Sequence, residues 1–356
     1  MQIDFHHAVT YVAARLADFE HEEAITVAHA AQYVDDATSS GVVNFHNQAM
    51  YYRISSAHKM IDKRNLSALE NHRVWLPFHF LPGNDGKLSG HNHEGDFIHK
   101  IVCKPDSPVA QDMVKAAILD HKKPYALQLL GITMHVYADT WAHQGFAGVL
   151  HDINEVDDAT EIGTSGVFDG FLGDFLRSKL DDLIPPLGHG RANIFPDMPF
   201  LSWKYNNGHG KEIKRNNTDD FCAAANAMCK AMQRFRAKNP DAEVAGIADA
   251  DMAQIRHLFE SIKEKDGEKR HKFWLQNIAN GYFDAIDAVP LEQISYEPRG
   301  RTSWKYAALG SSHDIAVHKY QSNFLKSDWK LFHDALQTHR ARLLHDILPP
   351  YDICAA

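Results

Sequence analysis

Apolar residues recur at helical steps along most of the chain. Val9, Val12, Leu16 and Phe19 fall three or four apart, so Phe5 to Phe19 is expected to be a helix with one apolar face. A second helix is expected over Glu22 to Ala37, with Ile25, Ala28, Gln32 and Asp35 along one side. Residues 49–64 and 66–76 read as two shorter helices, after which Pro77, Pro82 and Gly83 break the pattern and a Gly/Asn/His loop runs to Asp96. Helices follow over 107–120 and 124–144, the second opening at Pro124, a good first-turn residue.

Beyond them a Gly- and Asp-rich stretch precedes a helix expected from Val167 to Leu183, and Pro185, Pro186, Gly188 and Gly190 mark an irregular segment ending near Trp203. Gly208-His209-Gly210 resembles a turn. Phe221, Ala225, Met228, Met232 and Phe235 form a helical stripe with Thr218 as its expected cap, and 249–265, 268–287 and 325–347 add further helices. Period-two alternation is nearly absent. The expected fold is therefore mainly α, divided into a body at 1–210 and a helical extension at 211–356, or one continuous domain.

Composition excludes several classes. The chain has 356 residues, 44% apolar and 23% charged, which is globular and not disordered composition. A net charge of −9 offers no general attraction to nucleic acid, so no stable nucleic-acid partner is expected. The four cysteines show no paired spacing and give neither a disulfide framework nor a thiolate zinc site. No targeting pattern or membrane-length apolar run is evident, so the expected location is the cytoplasm, with signal-less export as an effector left open. Gly-x-Ser-x-Gly, P-loop and dinucleotide fingerprints are all missing.

The unusual number is 24 histidines. His135, Asp139 and His143 are spaced i, i+4, i+8, which stacks them on nearly one helical face. A carboxylate between two imidazoles can bridge two divalent ions, each held by a different histidine. Three other segments add candidates. His6-His7 opens the first helix, Asp35-Asp36 ends the second against the helix dipole, and His79 sits between aromatics before a turn. The His91-x-His93 pair and the C-terminal histidines 313, 318, 333, 339 and 345 lack convergent carboxylates and read as ordinary surface or loop residues.

These segments resemble, in order, those of the zinc-dependent phospholipase C and single-strand nuclease superfamily, in a distant bacterial branch. The matching pieces are His7-Ala8-Val9, Ala31 to Asp36, His79-Phe80-Leu81-Pro82 and Met134-His135 with Asp139 and His143. The resemblance covers about the first 200 residues through scattered motifs. It implies a multi-helix bundle of the phospholipase C type, with additional C-terminal helices, holding two or three Zn2+ ions. A further histidine ligand is implied near His189, preferred over His151, with Asp197 supplying the acidic partner that position 193 lacks. The family also binds a metal through its first residue, so Met1 or Asp4 takes that place here, or that metal is absent.

The implied activity is phosphodiester hydrolysis, phospholipase C-like, with metal-activated hydroxide attacking phosphorus near Asp139 and Asp35 or Asp36 as general base. A single-strand nuclease and a non-catalytic metal-binding protein are the alternatives. The implied partner is a phospholipid or other phosphodiester, with transient contact at a membrane surface.

Overall fold

A computed structural model of the chain describes residues 1–58, 68–91, 96–163, 192 and 195–354. The expected helix over 167–183 and the candidates His93 and His189 lie outside these residues. Helix α1 (Thr10–Leu16) is entered through a wide π-helical segment, Asp4–Val9, in which the Thr10 amide reaches back to the carbonyl of Phe5. Helix α2 (His21–Asp36) opens on a capping box between Glu20 and Glu23. Then come α3 (Ala68–Phe78), the single turn α4 (Ile98–Ile101) and α5 (Pro108–Leu119), where Ser107 caps the Ala110 amide and proline takes the first turn. Helix α6 (Ala126–Ala142) is buried on nearly every side and runs through the middle of the molecule. The remaining helices are α7 (Asn217–Arg236), α8 (Asp249–Ser261), α9 (Gly267–Ala279), α10 (Trp304–Leu309) and α11 (Asp328–Arg342).

The fold is not the helical bundle expected from the sequence, because two antiparallel sheets accompany the helices. Strands β1 (Gly41–Asn44) and β2 (Met50–Arg53) pair as a hairpin, so the helix expected over 49–64 does not form at its start. Gln48, at φ 66°, turns the chain between them. Four-residue strands with mostly exposed side chains are too short to show alternation. Strands β3 (Val156–Glu161), β4 (Ser202–Asn207) and β5 (Glu212–Asn216) form the second sheet in that order. In β4, Trp203 and Tyr205 are buried on one face, a short period-two signal that starts where the stretch read as irregular ends. The β4–β5 turn at Gly208-His209-Gly210 forms as expected, with Gly210 at φ 71°. Helix α7 is capped by Asn216, not Thr218, because the Asn216 side chain reaches the Asp219 amide.

Two large apolar clusters organise the core, and each draws on residues from both sides of position 210. One joins the first helices to α7, α8 and α9; the other joins α2 and α6 to α10 and α11. Helices α2 and α6 meet at Gly131, where a Cβ would lie 2.4 Å from the Val27 carbonyl oxygen and 2.6 Å from the Ala30 Cβ. That close crossing lies one turn before His135 and sets the end of α2 against the histidine face of α6. Among the described residues, no helix is long and apolar enough to cross a membrane.

Candidate metal centre

Asp139, on α6, is 1% exposed and is met by groups from the N-terminal segment and by His79, with Asp35 at the end of α2 and Asp197 beside those groups. Its two oxygens face different neighbours. Oδ1 lies 2.7 Å from the Met1 amine and 3.2 Å from His6 Nε2, while Oδ2 lies 3.4 Å from His79 Nδ1, 3.3 Å from His135 Nε2 and 3.7 Å from His143 Nδ1. The Met1 amine is also 3.3 Å from Asp197 Oδ1. Asp35, at the last turn of α2, places Oδ1 3.8 Å from both His79 Nδ1 and His135 Nε2.

These spacings fit a divalent ion. Ligand atoms about 2.0–2.1 Å from a tetrahedral zinc are about 3.4 Å from one another. His79 Nδ1 and His135 Nε2 are 3.2 Å apart, which with the two Asp139 Oδ2 distances makes three edges of that size. Two triads lie within ligand reach and overlap at His135: Asp35, His79 and His135, and His6, His135 and Asp139. The orientations agree with the distances. His6 Nε2 and Asp139 Oδ2 are buried and complete no hydrogen bond among the described residues, although His6 Nε2 lies 3.2 Å from Asp139 Oδ1 and Asp139 Oδ2 lies 3.3 Å from His135 Nε2. Each such orphan costs about 1–3 kcal/mol. Buried polar atoms this close that do not pair as donor and acceptor are what a ligand set without its ion would show.

The surroundings hold the rings in ligand form. His79 Nε2 faces the Ser56 carbonyl at 2.9 Å; donating there leaves the lone pair on Nδ1, facing the centre. His143 Nδ1 donates to the His79 carbonyl at 2.7 Å, and Phe80 stacks on its ring. Burial, then the neighbouring His135, pushes His6 down to about 4, so it is neutral at pH 7. Burial works to raise the Asp139 carboxyl, but His143, the Met1 amine, His135 and His6 together hold it well below its usual range. Burial likewise works against charge on the Met1 amine, yet Asp139 and Asp197 raise it to about 11.

Of the residues singled out in the sequence, Asp35, His6, His79, His135, Asp139 and Asp197 converge here, with His143 at the margin. Three others do not. His7 turns to the opposite side of the first helix, where Nδ1 meets His271 Nε2 at 2.9 Å and the ring packs on Tyr296. Adjacent residues on a helix point in different directions, and the wide turn aims His6 inward. Asp36 accepts a 2.6 Å hydrogen bond from Tyr296 and is not within ligand reach of the histidines, although Gln32 reaches both it and Asp35. Asp4 is no ligand: it forms a buried pair with Arg270 at 2.6 Å.

Two positioning residues escaped the sequence reading. Arg270 is fully buried and also reaches Gln2 Oε1 and the Asp197 carbonyl, so one guanidinium fixes both flanks of the Met1 amine. Arg215 donates to the Trp141 carbonyl at 2.9 Å and pairs with Asp220, tying off the end of α6 beside His143. The Arg270–Asp4 and Arg215–Trp141 contacts span long sequence separations and carry no local signal.

Residues 1–347 match the family described as "Family of unknown function (DUF6765)", and the chain belongs to that family. No curated protein and no solved structure matches the chain.

Proposed function

We propose that this member of the family is a metal-dependent phosphodiester hydrolase of the phospholipase C type. The observation that carries the reading is the division of Asp139, with one oxygen towards His6 and the Met1 amine and the other towards His79 and His135. A carboxylate so placed suits two neighbouring divalent ions. His79, His135, Asp35 and Asp139 would hold one, and His6 and Asp139 the other, with Asp197 near by. Imidazole and carboxylate donors accept zinc and other divalent first-row metals alike, and the resemblance singles out zinc among them.

Paired ions of this kind lower the pKa of bound water and neutralise charge on a phosphoryl group. The chain's own residues do the rest. Asp35 is the exposed member, its side chain 34% accessible, so substrate and water approach past it. Its carboxylate beside His79 and His135 is positioned to accept a proton from an attacking water. The Ser56 and His79 carbonyls keep the His79 and His143 rings from rotating. The resemblance of the ordered segments to the phospholipase C superfamily supports phosphorus over carbon as the centre attacked.

The test is metal quantification by mass spectrometry on the purified chain, paired with hydrolysis of p-nitrophenyl phosphorylcholine and of single-stranded DNA. One to three zinc ions per chain and chelator-sensitive release of nitrophenol are expected. Zinc without turnover of either substrate makes the centre a binding site and overturns the enzyme reading. Cleavage of DNA alone moves the activity to the nuclease side. Absence of stoichiometric metal defeats the reading entirely.

A further inference from the structure

A second polar site lies on the other side of the α2 terminus. A cavity of about 450 Å³ is lined by Asp36, Arg53, Arg299, Lys305, Asp314 and Ser39, among others. Three cations face it, on a chain whose net charge is −9. Arg53, from the end of β2, and Lys305, from the first turn of α10, have side chains only 10% and 12% exposed. Burying two cations side by side is costly unless an anion compensates them.

The compensating anion is part of the chain. Asp314, on the loop after α10, lays Oδ1 2.8 Å from Arg53 Nη2 and 2.7 Å from Lys305 Nζ, and Ser39 donates to its Oδ2 at 3.2 Å. The fit is incomplete. Arg53 Nε is buried and finds no hydrogen-bond partner among the described residues, and Arg299 lines the same cavity. Asp314 is itself half exposed, on a loop whose neighbours Ile315 and Val317 are also exposed. Burial lowers the Lys305 ammonium despite this carboxylate, and the neighbouring Arg53 and Arg299 add to the effect.

We propose that this cavity binds a phosphate group, and that the Asp314 carboxylate occupies the phosphate position until a ligand displaces it. A carboxylate has two oxygens and one charge, whereas the cradle offers two guanidinium groups, an ammonium and a hydroxyl. A phosphate matches three cations with up to two charges and more oxygens, and guanidinium forks suit it. Asp314 then acts as an internal competitor, lowering apparent affinity by the fraction of time it occupies the site. The cavity is lined by Asp36 and not by Asp35, the carboxylate beside His79 and His135.

The test uses the full chain with chelator present, so phosphate bound at a metal is not counted. Inorganic phosphate is titrated by calorimetry into wild type, Asp314→Ala, Arg299→Ala and the double variant Asp314→Ala/Arg53→Met, with acetate as a second ligand. The expected result is about tenfold tighter phosphate binding by Asp314→Ala, and its loss in the double variant. Asp314→Ala should also melt lower in chloride and recover with phosphate, which reports the site even where calorimetric heat is small. Arg299→Ala, an exposed change, should weaken phosphate binding several-fold with the fold intact. Phosphate binding unaffected by all three variants, or acetate bound as well as phosphate, overturns the proposal. Because every arm is metal-free, its outcome is separate from that of the hydrolase reading.

Discussion

Replacing Gly131 by alanine probes the contact that sets the geometry of the metal centre. The new methyl carbon would meet the Val27 carbonyl oxygen at 2.4 Å, the Ala30 Cβ at 2.6 Å and the Ala31 amide at 3.0 Å, where ordinary contact begins near 3.4 Å. The shortfall is about 1 Å, and its nearest atom is backbone that no rotamer change can move. Helices α2 and α6 must therefore separate. Overpacking costs about 1–3 kcal/mol, and the backbone clash places this case near the upper end. Alanine returns about 1 kcal/mol through helix propensity, leaving a net loss of about 2 kcal/mol. Asp35 rides on α2 and His135 on α6, so the same separation pulls apart ligands now 3.8 Å from one another. Urea unfolding of chelator-treated protein reads the first effect, and competition against a chromogenic chelator reads the second. Zinc should bind about tenfold more weakly, as it does when groups that orient ligands are disturbed. A variant as stable as wild type, with zinc affinity unchanged, would refute the argument for close helix contact as the device that sets the site.

Other outcomes follow from single residues. Asp139→Asn should lose bound zinc and hydrolysis together, since both oxygens face the cluster; full zinc content by mass spectrometry would contradict the bridging role. Asp35→Asn should weaken zinc strongly while Asp36→Asn leaves it nearly intact, because Asp36 faces Tyr296; equal effects in the same chelator competition would reverse that assignment. Arg270→Met leaves Asp4 buried without its partner and should cost about 3–5 kcal/mol in urea unfolding, a loss that an exposed pair would not show. His29 and His333 are held near 3 by burial, against an ordinary 6.5, with Arg53 and Lys305 adding to the effect on His333. Between these values the unfolded chain binds more protons, so their stabilisation is complete above pH 6.5 and falls as the medium acidifies towards pH 3. Each contributes a slope of about 1.4 kcal/mol per pH unit in that window, and His333→Gln should remove its share from the pH dependence of the urea midpoint.

What could be read in advance divides along local and distant causes. The i, i+4, i+8 spacing on α6 is a property of seventeen consecutive helical residues, and the structure keeps His135 and Asp139 on one inward face as expected. His143 falls just past the helix end, so the third position is less bound by helical geometry. Asp35 was visible as an acidic residue at the wrong end of a helix, a local conflict that a metal would resolve. The choice between His6 and His7 was not visible, because it depends on the π-helical entry to α1. The two small sheets were missed for another reason. Strands of four to six residues carry too few positions for a period, and β3 has an acidic pair and a register shift within it. Arg270 and Asp4 are 266 residues apart, and no window-based pattern connects them.

The long-range contacts change what the C-terminal part of the chain is for. Arg270 lies on α9, outside the segments that carry the resemblance, yet it pairs with Asp4, reaches Gln2 and holds the Asp197 carbonyl. Tyr296 accepts the packing of His7 and His29 and donates to Asp36, so it fixes which of two adjacent carboxylates turns towards the histidines. Without Tyr296, Asp36 loses its close donor, and burial already disfavours its charge. Residues after 210 thus engage the neighbours of the candidate ligands: His271 meets His7 beside His6, and Tyr296 meets Asp36 beside Asp35. A fragment ending near residue 210 would keep every described ligand candidate while losing each of these supports. Such a fragment would also lose its share of both apolar clusters, so the supports are tested by Arg270→Met in the full chain.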